Sequence, residues 1–221
     1  MLSAIMVFAA VAMAGDFRIP KEQFYERVHT VVVSPVENVV WEQMNELYRM
    51  HDLRFSMMLE WGAIRISDYA QLSDSSFVNA IKAMAETTAE AALRGTGRFE
   101  VISPSRSADS IAVLMDRLNV HNTRNPMWGN YEHPNKDTLQ ERFLTAIPAD
   151  AVLFSGFYLC WYDKGFYVRY GAHMIDPVRR DTLWLGSVDL DPLMHTNAKN
   201  VFYEGDIRDA VKRTLKSIKK K

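Results

Sequence analysis

The chain has 221 residues, with 26 Lys+Arg against 27 Asp+Glu for a formal net charge of −1, and it is 48% hydrophobic and 24% charged. That balance belongs to a folded globular protein and excludes the disordered and low-complexity classes. Without a surplus of Lys and Arg to neutralise phosphates, nucleic acid is excluded as a partner. The one cysteine, Cys160, rules out an intramolecular disulfide and any cysteine-rich metal site.

Residues 1–14 (MLSAIMVFAAVAMA) carry no charge, and the first ionisable side chain is Asp16. A membrane-spanning helix needs roughly 20 apolar residues, so this run is too short to cross a bilayer. It fits the apolar stretch of a signal peptide, and Ala12-Met13-Ala14 is a small-x-small cleavage pattern that would leave Gly15 first. No Lys or Arg precedes the run, so a buried or anchoring apolar helix is the competing reading. No cysteine follows it, which leaves a lipoprotein-type acyl anchor without an attachment point.

The β-branched run at 28–33 (VHTVVV), closed by Ser34-Pro35, predicts a buried strand. From 35 to 72 the pattern is mixed, with helical spacing at Val40, Met44, Leu47, Tyr48 and His51, and reads as an insertion over one end of a sheet. A helix is predicted at 74–94, capped by Ser73 or Asp74, with Phe77, Ile81, Met84, Thr88 and Ala92 on one face. Gly95 stands where a left-handed C-cap is wanted.

A short strand at 99–102 and a helix at about 107–118 follow. Residues 119–136 carry two prolines and a glycine and predict a long loop. After a helix at 137–147 the period changes to two. Residues 151–162 predict a central strand, apolar on both faces, and 163–165 a hairpin turn. A strand at 166–175 follows, with Val168, Tyr170, Ala172 and Met174 packing and Arg169 and His173 on the wetter side. A turn at 176–181, a strand at 182–188 and a helix at about 205–218, with Ile207, Val211, Leu215 and Ile218 inward, complete the chain. The order β-α-β-α-α-β-β-β-α predicts a single mixed α/β (α+β) domain over 15–221, with helices packed on one mixed sheet and insertions at 35–72 and 119–136. The strand–helix–strand opening predicts a parallel crossover.

Four segments carry a family resemblance. Residues 31–38 (VVVSPVEN) resemble an opening strand running into P-x-x-N, and 97–102 (GRFEVI) a G-R-F-x-V strand. Residues 149–153 (ADAVL) resemble an A-D-A-V-L strand start, and Met174-Ile175-Asp176 through Leu183-Trp184 a hairpin with Asp at one strand end and Trp in the next. In this order they resemble a group of bacterial envelope proteins: the curli-secretion channel protein CsgG, Lpo-type activators of peptidoglycan synthases, the Pel-exopolysaccharide outer-membrane lipoprotein and the amino-terminal domain of TolB. The resemblance implies an exported periplasmic or envelope-associated protein. Its role would be non-catalytic assembly, transport or regulation through protein partners, a homo-oligomer among them. The family's lipidated cysteine is absent, and the pore-forming version has no counterpart here in paired membrane-barrel strands.

Asp189-Leu190-Asp191 with His195 is the best metal-like cluster, because an Asp-x-Asp on a strand end can hold a divalent cation. Such pairs are common and usually solvate a loop. They define the alternative function of a periplasmic metal-assisted hydrolase, beside a cytosolic small-molecule-binding domain should residues 1–14 not be a signal. The remaining histidines form no helical pair, Ser155 lacks a nucleophile elbow and Cys160 lies mid-strand, so no catalytic set and no cofactor are expected. Trp61, Trp128 and Tyr131 lie in the two insertions, where aromatics serve either interfaces or the core. They are the candidate partner-binding residues.

Overall fold

The computed structural model describes residues 15–38, 74–103, 148–162, 165–192 and 204–219, with backbone alone at 37–38, 159–162, 165–167, 191–192 and 219. The helices predicted at 107–118 and 137–147 and most of both insertions lie outside the described residues. The elements are β1 (Asp16–Phe17), α1 (Lys21–Arg27), β2 (Thr30–Val33), β3 (Glu37–Asn38) and α2 (Ser75–Arg94). After them come β4 (Glu100–Ile102), β5 (Ala151–Tyr162), β6 (Gly165–Ile175), β7 (Thr182–Pro192), α3 (Glu204–Thr214) and α4 (Lys216–Lys219).

Seven strands form one mixed sheet in the order β1-β7-β6-β5-β2-β4, with β3 also on β5. The mixed α/β class expected from the sequence is the class observed. β2 pairs in parallel with both β4 and β5, and α2 is the described part of the crossover from β2 to β4. β5, β6 and β7 form the antiparallel meander, and Tyr162↔Gly165 pairing sets a two-residue hairpin. β3 lies within the predicted 35–72 insertion, where it adds Glu37↔Gly156 and Asn38↔Phe157 pairing further along β5 than β2 reaches.

Period-two alternation sorts the sheet into two buried faces. Val31, Val33, Leu153, Phe157, Tyr170, Met174 and Trp184 meet Ile81, Ala85, Ala89 and Leu93 of α2 and Ile207 and Val211 of α3 in one core. The alanines of α2 leave its inner side shallow, which lets the helix lie close to α3 and the sheet. Val32, Val152, Phe154, Tyr158 and Ile175 are buried on the opposite face. Arg169 of β6 sits there opposite Asp189 of β7.

The capping of α2 follows the sequence. Asp74 Oδ1 accepts from Ser76 N at 2.8 Å and Phe77 N at 3.4 Å. Its far end differs from expectation, because Gly95 stays right-handed (φ −64°) and the left-handed residue is Gly97 (φ 66°). The chain takes another turn first: Thr96 N and Thr96 Oγ1 both donate to Leu93 O, and Gly97 N donates to Arg94 O.

Three further expectations need correction. The strand read from 28 begins at Thr30, because Val28 closes α1 by donating its N–H to Phe24 O. The C-terminal helix is broken at Leu215, where Ile218 N donates to Leu215 O in a tighter turn. β7 extends to Pro192, so Asp189 and Asp191 stand within the strand and not beyond it.

β1 and α1 were not foreseen. They are held by an edge-to-face aromatic cluster of Phe17, Phe24, Tyr25 and Phe99, with ring centroids 5.1–6.2 Å apart. Tyr25 Oη donates to Ile218 O at 2.7 Å, and the Arg98 guanidinium lies 4.4 Å from its ring centroid. Gly15 and Gly186 both lie against the Trp184 ring, and Trp184 Nε1 donates to Ser217 Oγ at 2.9 Å. A Cβ on Gly186 would stand 2.7 Å from the ring, so side chains are excluded there by close approach.

Candidate functional site

A half-open cleft of about 220 Å³ lies where the parallel strands begin. Its walls come from the end of α1 (Arg27, Val28), the approach to β5 (Ala149, Asp150) and the β6–β7 turn (Asp176, Val178, Arg179). Two carboxylates hold these pieces together. Asp150 Oδ2 accepts from His29 N at 2.9 Å and Thr30 N at 2.8 Å, while Asp150 N donates to Thr30 O. Asp176 Oδ1 accepts from Val178 N at 2.9 Å and Arg179 N at 2.8 Å, the bonding that an Asp at the start of a turn supplies.

The other oxygen of Asp176 takes Arg27 Nη2 at 2.6 Å, tying the turn to α1. Sequence reading marked 176–181 as a turn and 149–153 as a strand start but could not bring them together with Arg27. In open α/β sheets ligands gather beyond the carboxyl ends of the parallel strands, and this cleft is at the opposite end. Both of its acids are engaged by backbone amides, and Asp176 by Arg27 as well.

The predicted metal-like residues fall differently. Asp189 faces Arg169 across the β6–β7 ladder, with Nε–Oδ1 at 2.6 Å and Nη2–Oδ2 at 3.2 Å, so both carboxylate oxygens are engaged by one guanidinium. A cation bound at Asp189 would stand against the positive charge of that guanidinium. Asp191 lies in β7 where the ladder register shifts between Asp189 and Pro192, its side chain outside the described residues, as is His195 entirely. Trp61, Trp128 and Tyr131 also lie outside the described residues. Among the described residues no group of three His, Cys, Asp or Glu is arranged to hold a metal, and no helix is long and apolar enough to cross a membrane.

A second polar group lies between α2 and the sheet. Glu86 Oε1 accepts from Val36 N at 2.8 Å and so fastens the chain between β2 and β3 to the helix. Burial pushes the Glu86 carboxyl up, against the Val36 amide and Lys82, which lower it, while Glu90 raises it. Tyr170 is fully buried on the same side, and burial pushes its phenol up, with Ser155 opposing and Glu86 reinforcing. Among the described residues no hydrogen bond of good geometry closes on Ser155 Oγ or Tyr170 Oη.

A raised carboxyl binds its proton more tightly folded than unfolded. Its favourable contribution is therefore complete below the unfolded value and is lost as pH rises through the folded one. Glu86→Gln keeps an acceptor for Val36 N without the buried charge. It should melt above wild type at pH 8, with the gap closing towards pH 4; a gap that widens on acidification would contradict the assignment. Glu86→Ala leaves the Val36 amide unpaired and should lose about 1–3 kcal/mol at both pH values.

No family model matches the chain, and no curated protein matches it. Among solved structures it is similar to a PelC dodecamer from Paraburkholderia phytofirmans, at 12% identity over 87% of this chain and 90% of that one, with a TM-score of 0.39. A second crystal form of the P. phytofirmans PelC dodecamer gives 11% identity over 87% and 88%, with a TM-score of 0.40. Lipoprotein GNA1162 from Neisseria meningitidis gives 13% identity over 78% of this chain and 90% of that one, with a TM-score of 0.29.

Proposed function

We propose that this chain is an exported cell-envelope protein that acts by binding other proteins, copies of itself among them, in the assembly, transport or regulation of an envelope structure. The reading rests foremost on the junction at residue 15. The small-x-small pattern Ala12-Met13-Ala14 ends at a glycine seated against Trp184 and Ser217, so cleavage there would release the folded domain whole. The occupied state of Asp150, Asp176 and Asp189 supports binding over catalysis, since each carboxylate already serves the fold. Trp61, Trp128 and Tyr131 are proposed as part of the partner surface.

Fractionation and N-terminal sequencing, followed by cross-linking and co-purification from native envelope, test this reading. The expected results are a periplasmic or envelope-associated chain beginning at Gly15 and recovery of a defined envelope partner. That partner should be lost from a Trp128→Ala/Tyr131→Ala variant that melts close to wild type. Recovery from the cytosol with residues 1–14 intact would overturn the export reading.

A further inference from the structure

Val32, Val152, Phe154, Tyr158 and Ile175 are only 0–7% exposed on the sheet face opposite α2 and α3. None of them belongs to the core that holds the buried residues of the described helices. Their burial is complete within a single chain, so no second copy is needed to account for it. The cover is also uneven. β2 and β5 are hidden, whereas on the same face Arg169 of β6 and Asp189 of β7 keep 31% and 27% of their side chains exposed.

Handedness identifies the occupant. The crossover from β2 to β4 runs through α2 and steps to one side of β2. The chain from β4 to β5 steps back past β2 to its other side. Two right-handed crossovers that step in opposite directions lie on opposite faces of a sheet. The second therefore passes over β2 on the face away from α2, and β2 and β5 are where the burial is found. We infer that residues 104–147 dock across β2 and β5 on this face. The strands to be linked stand two spacings apart, about 10 Å, so most of the segment is free to lie along the sheet. Ile111, Leu114, Met115 and Leu118 recur at i, i+3, i+4 and i+7, an apolar stripe that suits Val32, Val152 and Phe154. The chain leaving β3 starts beside Phe157, far along β5 from the paired Val152 and Ile175. The inference stands apart from the export reading. It deepens the partner-surface reading, because Trp128 and Tyr131 belong to this segment and are carried on the side of the sheet away from α2 and α3.

Photo-cross-linking of the full chain with benzoylphenylalanine in place of His173 tests the placement. That ring stacks on Phe154 on the same face, with centroids 5.4 Å apart. The cross-linked peptides should fall within 104–147. Cross-links to 39–73 or to a second copy, or none to 104–147, would overturn the docking and leave the export reading untouched. Hydroxyl-radical footprinting gives a second measurement. In Leu114→Asp/Met115→Asp, modification of Phe154 and Tyr158 should rise several-fold while Phe157 and Trp184, in the helix-side core, stay protected. Unchanged protection of Phe154 and Tyr158 in that variant would also count against the docking. Should the variant unfold and expose both faces, the cross-links from the unaltered segment decide.

Discussion

Trp184→Ala is expected to lower stability by about 3–5 kcal/mol, the range for truncating a large buried aromatic. The ring is fully buried in the helix-side core, and its Nε1 bond to Ser217 fastens the C-terminal segment to β7. Two glycines make the site unusually sensitive to shape. A Cβ on Gly15 would stand 2.4 Å from the Trp184 ring and 2.5 Å from Ser217 Oγ. Gly15→Ala should therefore lose about 1–3 kcal/mol by overpacking, limited by the free energy of undocking β1. In the Trp184→Ala background the ring is gone and Ser217, freed of its indole bond, can turn away, so the same substitution should cost much less. Urea unfolding of the four proteins reads the coupling directly, and additive losses would show that Gly15 does not rest on the ring in solution.

Asp176→Ala is expected to follow at about 1–3 kcal/mol, chiefly from a part-buried guanidinium left without its partner, with two exposed turn amides released to water. The Arg27–Asp176 pair has side-chain exposures of only 22% and 13%, which lifts it above the usual small value of surface ion pairs. Asp176→Asn retains an acceptor for the Val178 and Arg179 amides and should recover part of the loss. Arg27→Ala in the Asp176→Ala background should lose little more. Hydrogen exchange gives a local readout: the Val178 and Arg179 amides should exchange faster in Asp176→Ala, with the β5–β6 ladder unchanged. Unchanged exchange at those two amides would show that the turn holds itself without the carboxylate.

What could be read from the chain and what could not divides along sequence distance. The β5–β7 meander is local, with alternation written in Val168, Tyr170, Ala172 and Met174 and turns marked by Gly165 and Asp176-Pro177. α2 carries its own cap and its own apolar stripe. β1 and β3 have two residues each, too few to express a period, and exist because β7 and β5 offer them ladder positions. α1 is one short stretch (KEQFYER) whose helicity is decided by docking of Phe24 and Tyr25. The cleft was invisible for the same reason, since it joins residues near 27, 150 and 178. At Asp189 the Asp-x-Asp spacing was legible and the cross-strand Arg169 was not, and that arginine is what engages the carboxylate.

The ladder that joins Val31 to Ala151 and the strand pair that joins Asp16 to Leu185 have a temporal consequence. A ribosome must complete more than half of the chain before the central parallel pairing has both its members, and nearly all of it before β1 has an edge to join. Closing such large loops is slow, because the entropy is lost before the contacts form. Early lengths of the nascent polypeptide therefore have β4 for β2 but lack β5 and β7, the strands that complete the sheet. The N-terminal strand thus stays undocked until Trp184 has been made and can receive Gly15.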